Sequence, residues 1–214
     1  MALIPFLSVA ARRLLAKTDE SKQLGPEIYV APRGLEEHAI VVGHGRVGQV
    51  VCRLLERHQF PFLACDRNPY VVSQFQRQCR EVYYGDAASP QFLKSCGLGK
   101  AKAVIVTINE QEAIDEIVEA VRAQQAGIVI VSRARDAAHA RHLYTIGVTD
   151  AVPETIEASL QLSEAALVRL GLAAGAVIAS IHELRDEFRH ELQQAARQAG
   201  QPATRSIRRK TLRR

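Results

Sequence analysis

In the stretch IVVGHGRVGQVV, glycines at 43, 45 and 48 leave a short apolar run and open a segment of helical period. Glycines at this spacing suit the binding of an anion. Gly43 permits a tight exit from a strand. At Gly45 the missing side chain lets the backbone approach a pyrophosphate, and Gly48 lets the following helix pack closely on the strand. The start of that helix presents unpaired N–H groups and a partial positive charge, to which Arg46 can add a full one. Glycines are common in turns, so the surroundings matter. Here the motif follows a strand-like run, opens a helix, and is answered by an acid, Asp66, 18 residues beyond Gly48 at the end of the next apolar run. A carboxylate in that position accepts ribose hydroxyls and repels a 2′-phosphate. The sequence therefore predicts a nucleotide site favouring NAD or NADH. Arg67 keeps NADP open, and AMP or ADP would satisfy the loop as well.

Around this centre, His44 and Val47 complete the loop. His44 is read as a contact residue with its side chain turned outward. Gly85, Asp86 and Ala87, in YGDA, end a third apolar run. They lie on the carboxyl edge of the sheet, where open α/β folds bind ligands; Asp86 could line the adenine side or cap a helix. Arg133 and Arg135, in SRARD, follow a later run. They could hold an anionic ligand, pair with acids across an interface or stand in solvent. What would make an enzyme is missing from the sequence. No substrate domain follows, no Tyr has a Lys four positions later, and no His–carboxylate arrangement is visible. The expectation is a protein that senses a nucleotide and does not consume it.

These residues are positioned by a regular alternation. Apolar runs at 38–42, 61–66, 81–86, 103–107 and 128–132 alternate with helical segments at 46–58, 67–79, about 89–97, 110–125 and 136–147. A short DAVP (150–153) reads as a sixth, edge strand. Asn68–Pro69 and Ser89–Pro90 are cap-then-proline starts, and Asp136 is a further cap. On the first helix, Val47, Val50, Val51, Leu54 and Leu55 read as the buried face. The rhythm predicts an α/β protein with a doubly wound, Rossmann-like parallel sheet of five or six strands. After Pro153 only helices follow. The last carries a stripe of Val177, Ile178, Ile181, Leu184, Phe188 and Leu192, to be covered by the protein's own sheet or by a second subunit. The expected division is an apolar start and linker (1–37), a nucleotide-binding domain (38–153), a helical extension (154–194) and a disordered basic tail (195–214).

Charge follows the same division. Seven of the 28 basic residues lie beyond Glu191, where there is no acid, so the preceding chain has 21 bases against 23 acids. The basicity belongs to a tail that is either solvated or a contact for anionic lipid or nucleic acid; of these, lipid is kept as the expected partner and nucleic acid is not. Cys52, Cys65, Cys79 and Cys96 form no Cys-x-x-Cys pair, which argues against a structural zinc site. Cys52 and Cys65 read as buried. MALIPFLSVAA, followed by Arg12 and Arg13, is too short to span a bilayer. It fits either a core helix or the inner end of a membrane helix.

HAIVVGHGRVGQVVCRLL, ACDRNP, VYYGDAASPQFLKSCGLGKAKAVIV and IVIVSRARD together resemble the regulatory nucleotide-binding domain of Kef-type potassium/proton antiporters, the RCK (TrkA-N or KTN) family, over roughly 37–172. The resemblance implies a membrane antiporter domain ahead of this one, with the first residues as the end of its last helix, on the cytoplasmic face of a bacterial inner membrane. It implies a homodimer that binds NAD(H) or AMP and opens or closes potassium efflux. Gly43, Gly45, Arg46, Gly48 and Asp66 would hold the nucleotide, Asp86 would lie near the adenosine, and Arg133 or Arg135 near the dimer interface, where some members bind glutathione. Two departures count against glutathione gating. Ile114 stands where some relatives have Asn, and ELRDEFRHEL matches poorly the segment that completes a glutathione pocket. A peripheral subunit of a Trk-type potassium uptake system and a soluble NAD-dependent oxidoreductase are the alternative readings.

Overall fold

The computed structural model describes residues 35–76 and 82–200. The readings of the apolar start, most of the linker, Cys79 and the tail beyond residue 200 lie outside these residues. Six strands, β1 (Ala39–Val42), β2 (Phe62–Asp66), β3 (Val82–Tyr84), β4 (Ala103–Val106), β5 (Val129–Ala134) and β6 (Asp150–Pro153), form one parallel sheet in the order β3-β2-β1-β4-β5-β6. Ile40 aligns with Leu63 on one side and Val104 on the other.

Both faces of the sheet are covered, which is why its strands read as unbroken apolar runs. Val41, Ala64 and Val82 face α1 (Arg46–Arg57) and α2 (Pro69–Gln76), meeting Cys52, Val72 and Phe75. Ile40, Val42, Leu63, Val104 and Ile130 face the other way, onto α3 (Pro90–Ser95), α4 (Gln111–Gln124) and α5 (Ala137–Thr145). A fully buried aliphatic side chain contributes about 1.5–3 kcal/mol. The chain crosses from one face to the other after β3, so β1 and β4 are neighbours whose following loops diverge. That divergence opens a crevice at their carboxyl ends.

The predicted caps form. Asn68 Oδ1 accepts the Tyr70 N–H at 3.0 Å, Ser89 Oγ that of Phe92 at 3.5 Å, and Asp136 Oδ1 that of His139 at 2.9 Å. Two expectations need correction. The face of α1 is rotated: Gly48 and Cys52 are buried and Val51 and Leu55 half-buried, while Val47, Val50 and Leu54 are exposed. The close approach at Gly48 fixes this rotation. The tail expected from 195 also begins as helix. After α6 (Glu154–Arg169), α7 (Ala174–Gly200) carries on to Gly200, because Leu192 and Ala196, one turn apart, are both buried. The terminal stripe divides. Val177 and Ile181 pack on Leu160 of α6 and Leu192 joins the main core, but Ile178 and Leu184 are exposed.

Buried between α4 and α5, His139 accepts the Arg135 N–H at Nδ1 (3.2 Å), and its Nε2 lies 3.7 Å from Asp115 Oδ1. Burial lowers its pKa below 6.5, and the Asp115 charge opposes this only in part. With the folded value below the unfolded one, this contribution to stability is intact above pH 6.5 and is lost as pH falls through the folded pKa. Urea unfolding should therefore show stability declining from pH 7.5 to pH 5, with a shallower decline in His139→Asn.

Candidate functional site

A cavity of about 780 Å³ opens at the carboxyl ends of the strands, in the crevice between the diverging loops. Its centre is the turn from β1 to α1. Gly43 has a φ of 92°, a value that favours glycine. A Cβ there would meet Ile108 Cγ2 at 2.7 Å and Thr107 Oγ1 at 2.9 Å. At Gly48 a Cβ would lie 2.0 Å from Gly43 O. Of these three, Gly45 alone is a position where a Cβ meets nothing within 4 Å. Two of the glycines are thus required by the fold, whereas the middle one is bare toward the cavity. Gly45 is the N-cap of α1 and supplies no side-chain cap, and the first turn of α1 carries no acid. The leading N–H groups of such a helix have no intrahelical partner and favour an anion.

Asp66 closes β2 beside this turn. Its Oδ2 accepts the His44 N–H at 2.7 Å and its Oδ1 the Asn68 N–H at 2.8 Å. A carboxylate oxygen has lone pairs left after one such bond, so Asp66 both ties down the loop and can take ribose hydroxyls. His44 does not turn outward as expected. Its ring is buried, edge-on to Phe75 with centroids 4.5 Å apart, and Nδ1 lies 3.7 Å from Cys52 Sγ. The backbone of His44 shapes the loop while its ring fills the space between α1 and α2.

Arg46, Val47, Asp66, Arg67, Gly85, Asp86 and Ala87 line the cavity with Gly43 and Gly45; His44 and Gly48 do not. Asp86 does not cap α3, since Ser89 does that. Asp86 is exposed at the rim, and its Oδ1 accepts the Ala88 N–H at 2.9 Å. Gly85 is explained by Phe92, whose ring would lie 2.0 Å from a Cβ there. The two arginines after β5 part company. Arg133 reaches the cavity wall and pairs with Glu154, while Arg135 is exposed, outside the lining, and pairs with its neighbour Asp136 at 3.0 Å. Ile114 is buried in the core, and α4 lines the cavity with Ala113, Glu116 and Ile117.

The sequence reading missed the wall formed by Thr107, Ile108, Asn109 and Glu110, and Glu154 beyond it. Thr107 is central, its Oγ1 lying 3.0 Å from Val42 O and 2.9 Å from Gly43 O. The place of these wall residues at the end of the fourth apolar run was legible, as Asp66 follows the second, but their position beside β1 depends on strand order. Cys65 lines the floor. Burial, with Cys96 and Asp66 nearby, raises its pKa well above the usual thiol value, so it stays protonated and is a poor nucleophile.

Residues 39–154, more than half of the chain, match the TrkA-N domain. The chain belongs to the TrkA-N domain family. This TrkA-N chain is 32% identical over 202 residues to K(+) efflux antiporter 1, chloroplastic, of Arabidopsis thaliana, covering 94% of this chain and 17% of that protein. It is 29% identical over 156 residues to the putative K(+) efflux antiporter KefB of Alkalimonas amylolytica, covering 73% and 24%. The chain thus spans a quarter or less of these relatives. Among solved structures it resembles the Shewanella denitrificans Kef C-terminal domain in AMP-bound form. The TM-score is 0.65 at 30% identity, covering 75% of this chain and 98% of that one. The six-stranded parallel sheet, helices on both faces and helical C-terminal part are those of a Rossmann-like fold.

Proposed function

We propose that this TrkA-N domain is the nucleotide-sensing regulatory part of a potassium/proton antiporter, binding AMP or NAD(H) between the β1–α1 turn and Asp66. One observation carries the reading: the bare Gly45 backbone, the uncapped start of α1 and the Asp66 carboxylate converge on one cavity. The similarity to potassium efflux antiporters supports the transport context. Among the described residues no helix is long and apolar enough to cross a membrane; the membrane part, on whose cytoplasmic face this domain would sit, belongs to the proposal.

A ligand shifts an equilibrium only if it binds one state better than another. The proposed states are two arrangements of a homodimer built on α6 and α7. Leu162 on α6 and Leu170 just past its end are 73% and 76% exposed, and Leu172 in the following turn and Ile178 and Leu184 on α7 are exposed as well. An apolar surface of this kind marks a contact site. Titration calorimetry checks the reading: AMP and NAD(H) should bind with micromolar affinity and NADP⁺ at least about tenfold more weakly, the cost of a 2′-phosphate beside Asp66. Absence of heat with every adenine nucleotide would remove it.

A further inference from the structure

The cavity is electrically lopsided. At its β2/β3 end, Asp66 and Asp86 each accept backbone N–H groups, and Arg46 and Arg67 have no ion pair among the described residues. At its β4/β5 end stand three carboxylates, Glu110, Glu116 and Glu154, against one guanidinium, Arg133. That guanidinium is already engaged. Arg133 Nε lies 2.5 Å from Glu154 Oε1, and Nη2 donates to Glu154 Oε2 at 2.9 Å, the two-pronged geometry that a phosphate would otherwise occupy. Arg133 Nη1 also donates to Thr107 O at 3.4 Å, holding the side chain beside the β1–α1 turn. Glu154 opens α6, where a carboxylate is further favoured by the helix start.

We propose that Glu154 sets the ligand's charge: by masking Arg133, it makes the β4/β5 half of the cavity reject additional phosphates. This deepens the nucleotide reading and rests on it. With the ribose on Asp66 and the first one or two phosphates at the start of α1, a longer phosphate chain has only the β4/β5 half to enter. There it meets three negative charges and no unpaired positive one. A monophosphate, or the two-phosphate bridge of a dinucleotide, ends at the start of α1, and beyond that bridge a dinucleotide carries a sugar and no third phosphate. Glu154 is thus a specificity-determining residue that favours AMP and NAD(H) over ATP.

The test compares AMP and ATP affinities by calorimetry without magnesium, for the wild type and for Glu154→Gln, which keeps the shape and removes the charge. Wild type should prefer AMP, and Glu154→Gln should lower the AMP-to-ATP affinity ratio at least about fivefold, since both a repulsion goes and Arg133 is released. Glu119→Gln, at an exposed acid on α4 outside the cavity lining, removes the same net charge and should leave the ratio unaltered. AMP binding with an unaltered ratio in Glu154→Gln, or an equal fall in Glu119→Gln, would overturn the assignment and leave the nucleotide site standing. A wild type that binds no AMP would remove both.

Discussion

Gly45→Val should abolish nucleotide binding and leave the fold standing. The residue has φ −73° and ψ −163°, ordinary extended backbone that valine adopts readily. A Cβ there meets no atom within 4 Å, and no side-chain cap is lost because glycine supplies none. Valine is a poorer N-cap than glycine, so some tenths of a kcal/mol of α1 stability go, and the melting temperature should move by no more than about 2 °C. The side chain projects into the cavity at the point where a phosphate must approach the backbone. Affinity for AMP should fall at least about 100-fold, or roughly 2.7 kcal/mol. Calorimetry and thermal denaturation on one sample separate the two effects. Unchanged AMP affinity in a folded Gly45→Val protein would show that any nucleotide lies elsewhere. This is a cleaner probe than removing Asp66. That carboxylate holds the His44 and Asn68 N–H groups, so its loss would loosen the loop whether or not a ribose binds.

The parts of the site legible in the sequence are those whose geometry is local. The glycine spacing and the acid closing the second strand are separated by one strand–helix–strand unit, and such a unit has one common handedness and nearly fixed dimensions. The helix caps were legible for the same reason. What could not be read depends on strand order. Nothing near Thr107 says that β4 lies beside β1, and yet that adjacency puts the Thr107 hydroxyl on Gly43 O and lines the far half of the cavity. The separation of Arg133 from Arg135 turns on where β5 ends, at Ala134. The first points along the strand's wall, and the second leaves with the cap of α5. The inward ring of His44 was hidden by a rule of thumb that polar loop residues face water. Here α2 supplies Phe75 as an aromatic partner, from a segment 31 residues away. The face of α1 was misjudged because counting apolar residues favours Val47, Val50 and Leu54, whereas contact distance at a glycine decides which side meets the sheet.

That last point gives Gly48 a large leverage on stability, in contrast to Gly45 three residues before it. A Cβ on Gly48 would sit 2.0 Å from Gly43 O, 2.9 Å from Thr107 Oγ1 and 3.0 Å from Gly43 C. The obstacle is backbone, and it is held on every side. Gly43 N donates to Cys65 O at 2.8 Å, and Thr107 N donates to Val42 O at 2.9 Å. Relief by a side-chain rotation is unavailable, so α1 has to withdraw from the sheet, opening space around Cys52 and Val41 in the core beneath it. Overpacking of this kind usually costs about 1–3 kcal/mol, and here rigid backbone on both sides puts the expected loss at or above about 3 kcal/mol. For a domain of this size that is a fall in melting temperature of about 6–12 °C. Gly48→Ala should therefore be poorly soluble or melt far below the wild type, and what folds should bind AMP weakly because the start of α1 has shifted. A Gly48→Ala protein of wild-type stability would mean that the helix does not press on the β1–α1 turn, and the rigid cradle on which the nucleotide site depends would be lost with it.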